Sequence, residues 1–200
     1  MTEPSEAVAN PQRPFDLVLL GATGFTGGLT ANYLARRLPA GARWALAGRN
    51  QTKLEGVLTG LELGPAGRPE LLVADSADPA SLRALAESTR VLATTVGPYL
   101  MHGEPLVAAC AGAGTDYLDL TGEPEFVDRM YVAHHATAQA TGARLLHACG
   151  FDSIPHDIGA LFTLQQLAAG PEDAVVMRGV VRSNGTFSCL LYTSPSPRDS

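Results

Sequence analysis

Lysine is almost missing from this chain: Lys53 is the single lysine among fourteen basic residues, and the rest are arginine. Any mechanism that needs a second lysine is excluded. So is the Tyr-x-x-x-Lys pair of short-chain dehydrogenases, which follows none of the five tyrosines. Charge of either kind is scarce at 17%, and the net balance of −6 is acidic. That balance argues against a nucleic-acid partner, because phosphate backbones are met by basic faces. The cysteines are only Cys110, Cys149 and Cys189, with no CxxC pair and no zinc spacing. They read as buried or idle thiols in a reducing compartment. His134 and His135 fall within a helical pattern without acidic ligands at helical spacing, so no metal is expected. Apolar runs stay well short of the roughly 20 residues that span a bilayer. The polar start MTEPSEAVANPQRP is no signal peptide. Together these absences predict a soluble, cytoplasmic protein, with peripheral attachment at the plasma membrane as the other option. A homo-oligomer is left open.

What the chain does have is 46% hydrophobic residues, arranged in short bursts. FDLVLL (15–20), RWALAG (43–48), ELLVAD (70–75), VLATTV (91–96), TDYLDL (115–120) and ARLLHAC (143–149) start 28, 27, 21, 24 and 28 residues apart. Each interval holds one helical pattern. Leu29, Tyr33, Leu34 and Leu38 share a face, as do Leu54, Val57, Leu58 and Leu61. Asp78-Pro79 reads as an N-cap with proline at the first helical position, ahead of Leu82 and Leu85. Leu106, Val107 and Cys110 precede a stop at Gly112, and Phe126, Val127 and Met130 open a longer helix. Strand and helix alternating at this period predict an α/β fold, a doubly wound parallel sheet. The expected division is a disordered tail over 1–13, a Rossmann domain over 14–155, and the start of a second domain over 156–188. The second part comprises a helix over 156–170, with Ser153 as its cap, and a strand over 174–183. The segment CLLYTSPSPRDS (189–200) has no period and resembles a translated sequencing adapter. It is expected to be non-native, with the natural protein continuing beyond Ser188.

Behind the first run stands GATGFTGG, four glycines in eight residues. Glycine inside a helix costs about 1 kcal/mol against alanine, so this placement has a reason. Gly21, Gly24 and Gly27 fall between the first strand and the first helix. A turn there lets backbone amides face a pyrophosphate, with the helix N-terminus adding partial positive charge. Gly24 keeps the approach open, and Gly27 lets helix and strand pack closely. A P-loop is excluded, because no G-K-[ST] follows. Dinucleotide domains that take NAD place a carboxylate at the end of the second strand; here that end carries Arg49, with Lys53 one turn on. A guanidinium binds a 2′-phosphate in bidentate fashion, which favours NADP. Asp75, at the end of the third strand, either meets the adenine edge or begins a turn. Gly97 and Pro98 end the fourth strand, on the nicotinamide side.

At these residues the chain resembles the saccharopine dehydrogenase-like oxidoreductases. The likeness rests on GATGFTG, AGRN, VGPYLMHGEPLVAAC, GTDYLDLTGE and HACGFDSIPHD, over roughly residues 15 to 160. Within that family it is most similar to the trans-acting enoyl reductases of mycobacterial lipid and glycolipid assembly. The resemblance implies an NADP-binding Rossmann domain, a larger α+β substrate domain and a small acyl or lipid-like substrate. It further implies that Gly21, Thr23, Gly24, Phe25 and Thr26 line the pyrophosphate, that Arg49 meets the 2′-phosphate, and that Gly97, Pro98 and Tyr99 lie near the nicotinamide.

Hydride transfer needs the substrate held against the ring and a proton donor where charge develops. Tyr99, Glu123 and Asp152 are the candidate acids, with His156 also in range; all stand at or just past strand ends. Tyr99 is equally a candidate cofactor wall, and Glu123 and Asp152 are candidate helix caps. Ser153, Asp152 and His156 are sequence neighbours, which is not how a hydrolytic triad is assembled. Two functional classes remain, an NADP-dependent reductase and a non-catalytic NADP-sensing module. Arg49 yields the first prediction. A charged hydrogen bond contributes about 1.5–3 kcal/mol, so NADPH should bind about ten- to a hundredfold tighter than NADH. Arg49→Ala should abolish that ratio in a calorimetric titration.

Overall fold

The computed structural model describes residues 13–167, 170 and 173–182. Six strands form one sheet: β1 (Phe15–Leu20), β2 (Trp44–Gly48), β3 (Glu70–Val73), β4 (Thr89–Thr94), β5 (Asp116–Leu118) and β6 (Leu145–Leu146). They lie in the order β3-β2-β1-β4-β5-β6, and every neighbouring pair is parallel. Parallel neighbours need crossovers, which the helices supply. These are α1 (Phe25–Arg37), α2 (Gln51–Thr59), α3 (Pro79–Ser88), α4 (Tyr99–His102), α5 (Glu104–Ala113), α6 (Pro124–Thr141) and α7 (Ile154–Gln166). The strand order reverses between β1 and β4, the switch point at which doubly wound sheets open a crevice.

Alternation along the central strands builds two apolar layers, because successive side chains leave opposite faces. Val18, Leu20, Ala45 and Ala47 pack toward α3, α5 and α6, with Leu82, Leu106, Val107, Tyr117 and Phe126. Leu19, Trp44 and Leu46 face Ala31 and Ala35 of α1 and Leu54 of α2. β2 is buried along its whole length, as a strand covered on both faces must be.

The expected α1 face is corrected in part: Leu34 and Leu38 pack against the core as expected, but Leu29 and Tyr33 do not. Leu29 and Tyr33 are 61% and 58% exposed, while Gly27, Ala31 and Ala35 are buried. The helix lies close to the sheet, and its fully buried positions are all small residues. Asp78 caps α3 as expected, accepting from the Ala80 amide at 3.0 Å. The stop of α5 moves from Gly112 to Gly114, whose φ of 68° is the left-handed conformation that glycine adopts freely. Helix α7 starts earlier than expected, at Ile154; Ser153 stands at its N-cap but makes no side-chain cap bond. The strand expected over 174–183 is absent over 174–182, where the chain is exposed and carries no strand pairing. A lone strand leaves its backbone donors and acceptors unpaired, and no sheet edge meets this one. Residue 183 and the adapter-like 189–200 lie outside the described residues, with Cys189 among them.

Arg13, expected in the tail, is part of the fold. Its guanidinium donates to the carbonyls of Ala86, Thr89 and Ala113 and to the Thr115 hydroxyl. One planar cation therefore ties together the chain around the amino ends of β4 and β5. Hydrogen bonds to a charged group contribute about 1.5–3 kcal/mol, so Arg13→Ala should cost about 2 kcal/mol. A lowered urea midpoint with an unchanged m-value would register it.

Candidate functional site

The turn after β1 is shaped by what its glycines touch. Gly21 has φ +90°, and a Cβ there would lie 2.8 Å from both Thr95 Oγ1 and Val96 Cγ2. The β1 turn therefore presses against the end of β4, and Thr95 Oγ1 donates to the Gly21 carbonyl at 3.2 Å. At Gly27 a Cβ would fall 2.0 Å from the Gly21 oxygen. That contact forbids any side chain and seats the α1 N-terminus on the turn. Gly24 differs: its Cβ would meet only the Gly21 oxygen, at 3.4 Å, and otherwise open space. Gly24 is the N-cap of α1, with no side-chain cap and no acidic residue in the first turn. The amides of Phe25 and Thr26 bond to nothing among the described residues. Unpaired helix-start amides in front of open space suit an anion, so the cradle fits a dinucleotide pyrophosphate.

The other expected cofactor residues lie at the same edge of the sheet. Thr23 and Phe25 are exposed beside the turn, and the Thr26 carbonyl accepts from Thr30 Oγ1. Arg49 follows β2, exposed and without an ion pair among the described residues. Lys53 is exposed one turn on, its backbone amide donating to Asn50 Oδ1 at 2.9 Å. Asp75 follows β3 and makes a turn: its carboxylate accepts from the Ala77 amide at 2.9 Å. Gly97 and Pro98 follow β4 and are joined by a cis peptide bond.

The three candidate acids have different surroundings. Tyr99 is buried, its hydroxyl donating to the Thr94 carbonyl at 3.2 Å, and burial raises its pKa well above the usual phenol value. That phenol is built into the core. Glu123 accepts from the amides of Tyr99 and Leu100 at 3.0 and 2.8 Å. It thus caps the short α4 rather than its own helix and fixes the loop after β4 to the loop after β5. Asp152 is exposed and lies against Gly150 and Gly122: a Cβ on Gly150 would sit 2.6 Å from its Oδ1. Of the three, it alone has no hydrogen bond within the described fold. His156 is exposed on α7, its ring 6.2 Å from that of Phe151.

Asp119, a buried charged group at this edge, was not among the candidate site residues. Asp119 is 2% exposed and accepts from the Tyr117 hydroxyl, the amides of Thr121 and Ala148, and His147 Nδ1 at 2.6 Å. Thr121 Oγ1 then accepts from the Glu123 amide at 3.1 Å. A chain of hydrogen bonds therefore runs from the end of β6, through β5, to the loop after β4. One signal lay in the sequence: His147 stands 28 residues after Asp119, the interval that separates the fifth and sixth apolar runs.

The molecule thus combines a Rossmann sheet, a glycine cradle at its switch point and, after β2, an exposed arginine without an ion pair among the described residues. The family model described as the saccharopine dehydrogenase NADP binding domain matches residues 17–146. The chain belongs to that family. As a member of it, this domain takes NADP as its cofactor. A trans-acting enoyl reductase of Mycobacterium tuberculosis is 53% identical over 148 residues, covering 74% of this chain and 35% of the relative. One from Mycobacterium ulcerans is 51% identical over 152 residues, covering 76% and 36%. The chain thus spans little more than a third of the length of these relatives. Among solved structures, apo saccharopine dehydrogenase (L-Glu forming) from Saccharomyces cerevisiae superposes with a TM-score of 0.61 at 15% identity. It covers 76% of this chain and 31% of its own, and it shares the fold.

The two inner glycines should behave differently. Gly24→Val should abolish NADPH binding while the protein melts within about 1 kcal/mol of the parent, because the added carbons enter the phosphate approach. Gly27→Ala should lower the melting temperature sharply, since its methyl meets backbone that cannot yield. Calorimetric titration and thermal melts of both variants check the pair.

Proposed function

We propose that this chain is the cofactor-binding part of an NADP-dependent enoyl reductase, which reduces the double bond of an enoyl or related acyl intermediate. The observation that carries the reading is the Gly21–Gly27 cradle, with the Phe25 and Thr26 amides and the exposed Arg49 beyond β2 all without partners among the described residues. The names of the relatives, trans-acting enoyl reductases, supply the substrate class. When bound, NADPH supplies the hydride. The chain's own residues hold it: the α1 amides take the pyrophosphate, Arg49 with Lys53 nearby the 2′-phosphate, and Gly97 and Pro98 edge the nicotinamide side. Glu123 keeps that last loop in place through the Tyr99 and Leu100 amides.

Rate acceleration needs more than cofactor binding. Placing the reacting carbon within about 3–3.5 Å of the hydride contributes about 7–11 kcal/mol. Helix α7 buries no side chain and residues 173–182 are exposed, so neither supplies a packed wall to place an acyl chain. The 200-residue chain should therefore bind NADPH in a calorimetric titration, yet oxidise it against enoyl thioesters no faster than buffer does. A full-length relative should be active in the same assay. Failure to bind NADPH would overturn the reading. Turnover by this chain would place the reaction wholly within the strand-end loops.

A further inference from the structure

We propose that His147, held by Asp119, is the proton-carrying residue at the nicotinamide end of the cofactor site. The inference rests on the NADP reading above and adds a residue and a role to it. Asp119 has a fully buried side chain, and the His147 ring is 11% exposed. Asp119 Oδ1 accepts two backbone amides, and Oδ2 takes the Tyr117 hydroxyl and His147 Nδ1. An ionised carboxylate only accepts, so Nδ1 carries the hydrogen in that contact. The proton that comes and goes is therefore on Nε2.

Nε2 is free to exchange it. It has no hydrogen bond among the described residues, and the side chain keeps 11% of its surface exposed. The ring itself is fixed, edge-on to Phe126 with centroids 5.4 Å apart and tilted against Tyr117 at 5.6 Å. The next residue, Ala148, has φ 54°, a conformation that costs a non-glycine residue about 1 kcal/mol or more. Asp119 holds the amide of that strained residue as well as the ring. A histidine that only filled the core would need no strained neighbour held by the same carboxylate.

Position supplies the rest. In a sheet of this order the two halves of a dinucleotide divide at the switch point, and the nicotinamide half falls on the β4–β5–β6 side. Both Asp119 and His147 stand at the carboxyl ends of β5 and β6. Hydride added to one carbon of a polarised double bond leaves an electron pair on its neighbour. The charged ring gives its Nε2 proton to that pair and keeps the N–H electrons, and reduced nicotinamide dinucleotide is the reductant. The neutral ring retains Nδ1–H on Asp119 until solvent reprotonates Nε2.

Binding alone tests this, without turnover. The ring of NADP⁺ is positively charged and that of NADPH is neutral, so a charged His147 beside it opposes only the oxidised form. Two unit charges about 6 Å apart at an effective dielectric of about 40–80 change a binding constant about three- to tenfold. Among the described residues, the titrating groups seen against this segment are Asp119 and Tyr117 from β5 and Cys149 two residues on, while α6 presents the uncharged Phe126 ring. Burial holds the Tyr117 hydroxyl and the Cys149 thiol protonated through the range. The 2′-phosphate belongs to both dinucleotides and cancels in their ratio.

Dissociation constants for NADP⁺ and NADPH should be measured calorimetrically from about pH 8.5 to about pH 5.5. Falling pH should weaken NADP⁺ relative to NADPH by about fivefold, and His147→Gln should flatten the ratio. Nitrogen-15 spectra of the unmodified protein should show His147 protonated on Nδ1 at high pH, and Asp119→Asn should move that hydrogen to Nε2. A flat ratio in the unmodified protein, an unchanged slope in His147→Gln, or an Nε2–H tautomer overturns the proposal. If neither dinucleotide binds at any pH, the NADP reading itself has failed, and this inference falls with it.

Discussion

A methyl group at residue 27 would lie 2.0 Å from the Gly21 carbonyl oxygen, so α1 can rest on the β1 turn only while glycine stands there. Much else follows from that seat. It lowers α1 onto the sheet, with Ala31 and Ala35 fully buried beneath it and Leu29 and Tyr33 left outside. It also aims the unpaired amides of Phe25 and Thr26 across the carboxyl edge of β1. Gly21 completes the arrangement by allowing Thr95 and Val96 of the neighbouring loop to come against the turn. Two positions without side chains thus bring the first half of the sheet, the helix dipole and the β4 loop to one place.

The second half of the edge is held by polar groups. Asp119 gathers donors from β5, from the Thr121 loop and from the residues after β6. A buried carboxylate is costly unless its oxygens are fully engaged, and here four donors engage them. Through Thr121 the same chain reaches Glu123, and through Glu123 the loop after Pro98. Charge is used sparingly elsewhere in this sequence.

Legibility followed the range of the interaction. The six apolar runs, the Asp78 cap and the buried faces of α2, α3 and α5 depend on neighbours a few residues away, and all were readable. So was the glycine cradle, because its spacing between strand and helix encodes a local turn. The α1 face was misjudged in part: helical periodicity marks the apolar side, but how close the helix sits is set by Gly27 meeting a carbonyl on another element. Tyr99 and Glu123 were picked as acids from their positions. Their contacts, a core carbonyl and the amides of α4, belong to other strands and loops.

Asp119 and His147 show the boundary most clearly. By itself the sequence determined that strands and helices alternate, that the sheet is parallel, and that a glycine turn with open space at Gly24 stands behind β1. It also determined that an arginine, and no carboxylate, follows β2. Each of these is a property of consecutive residues and their periods. That Asp119 and His147 meet at 2.6 Å was decided only when β6 paired beside β5, because strand order is set by packing among all the elements together. The same holds for Arg13, whose guanidinium finds its acceptors 73 to 102 residues away. Hydrogen-bond partners at such separations leave no mark on local composition, since a buried acceptor is recognised only by what folding brings to it.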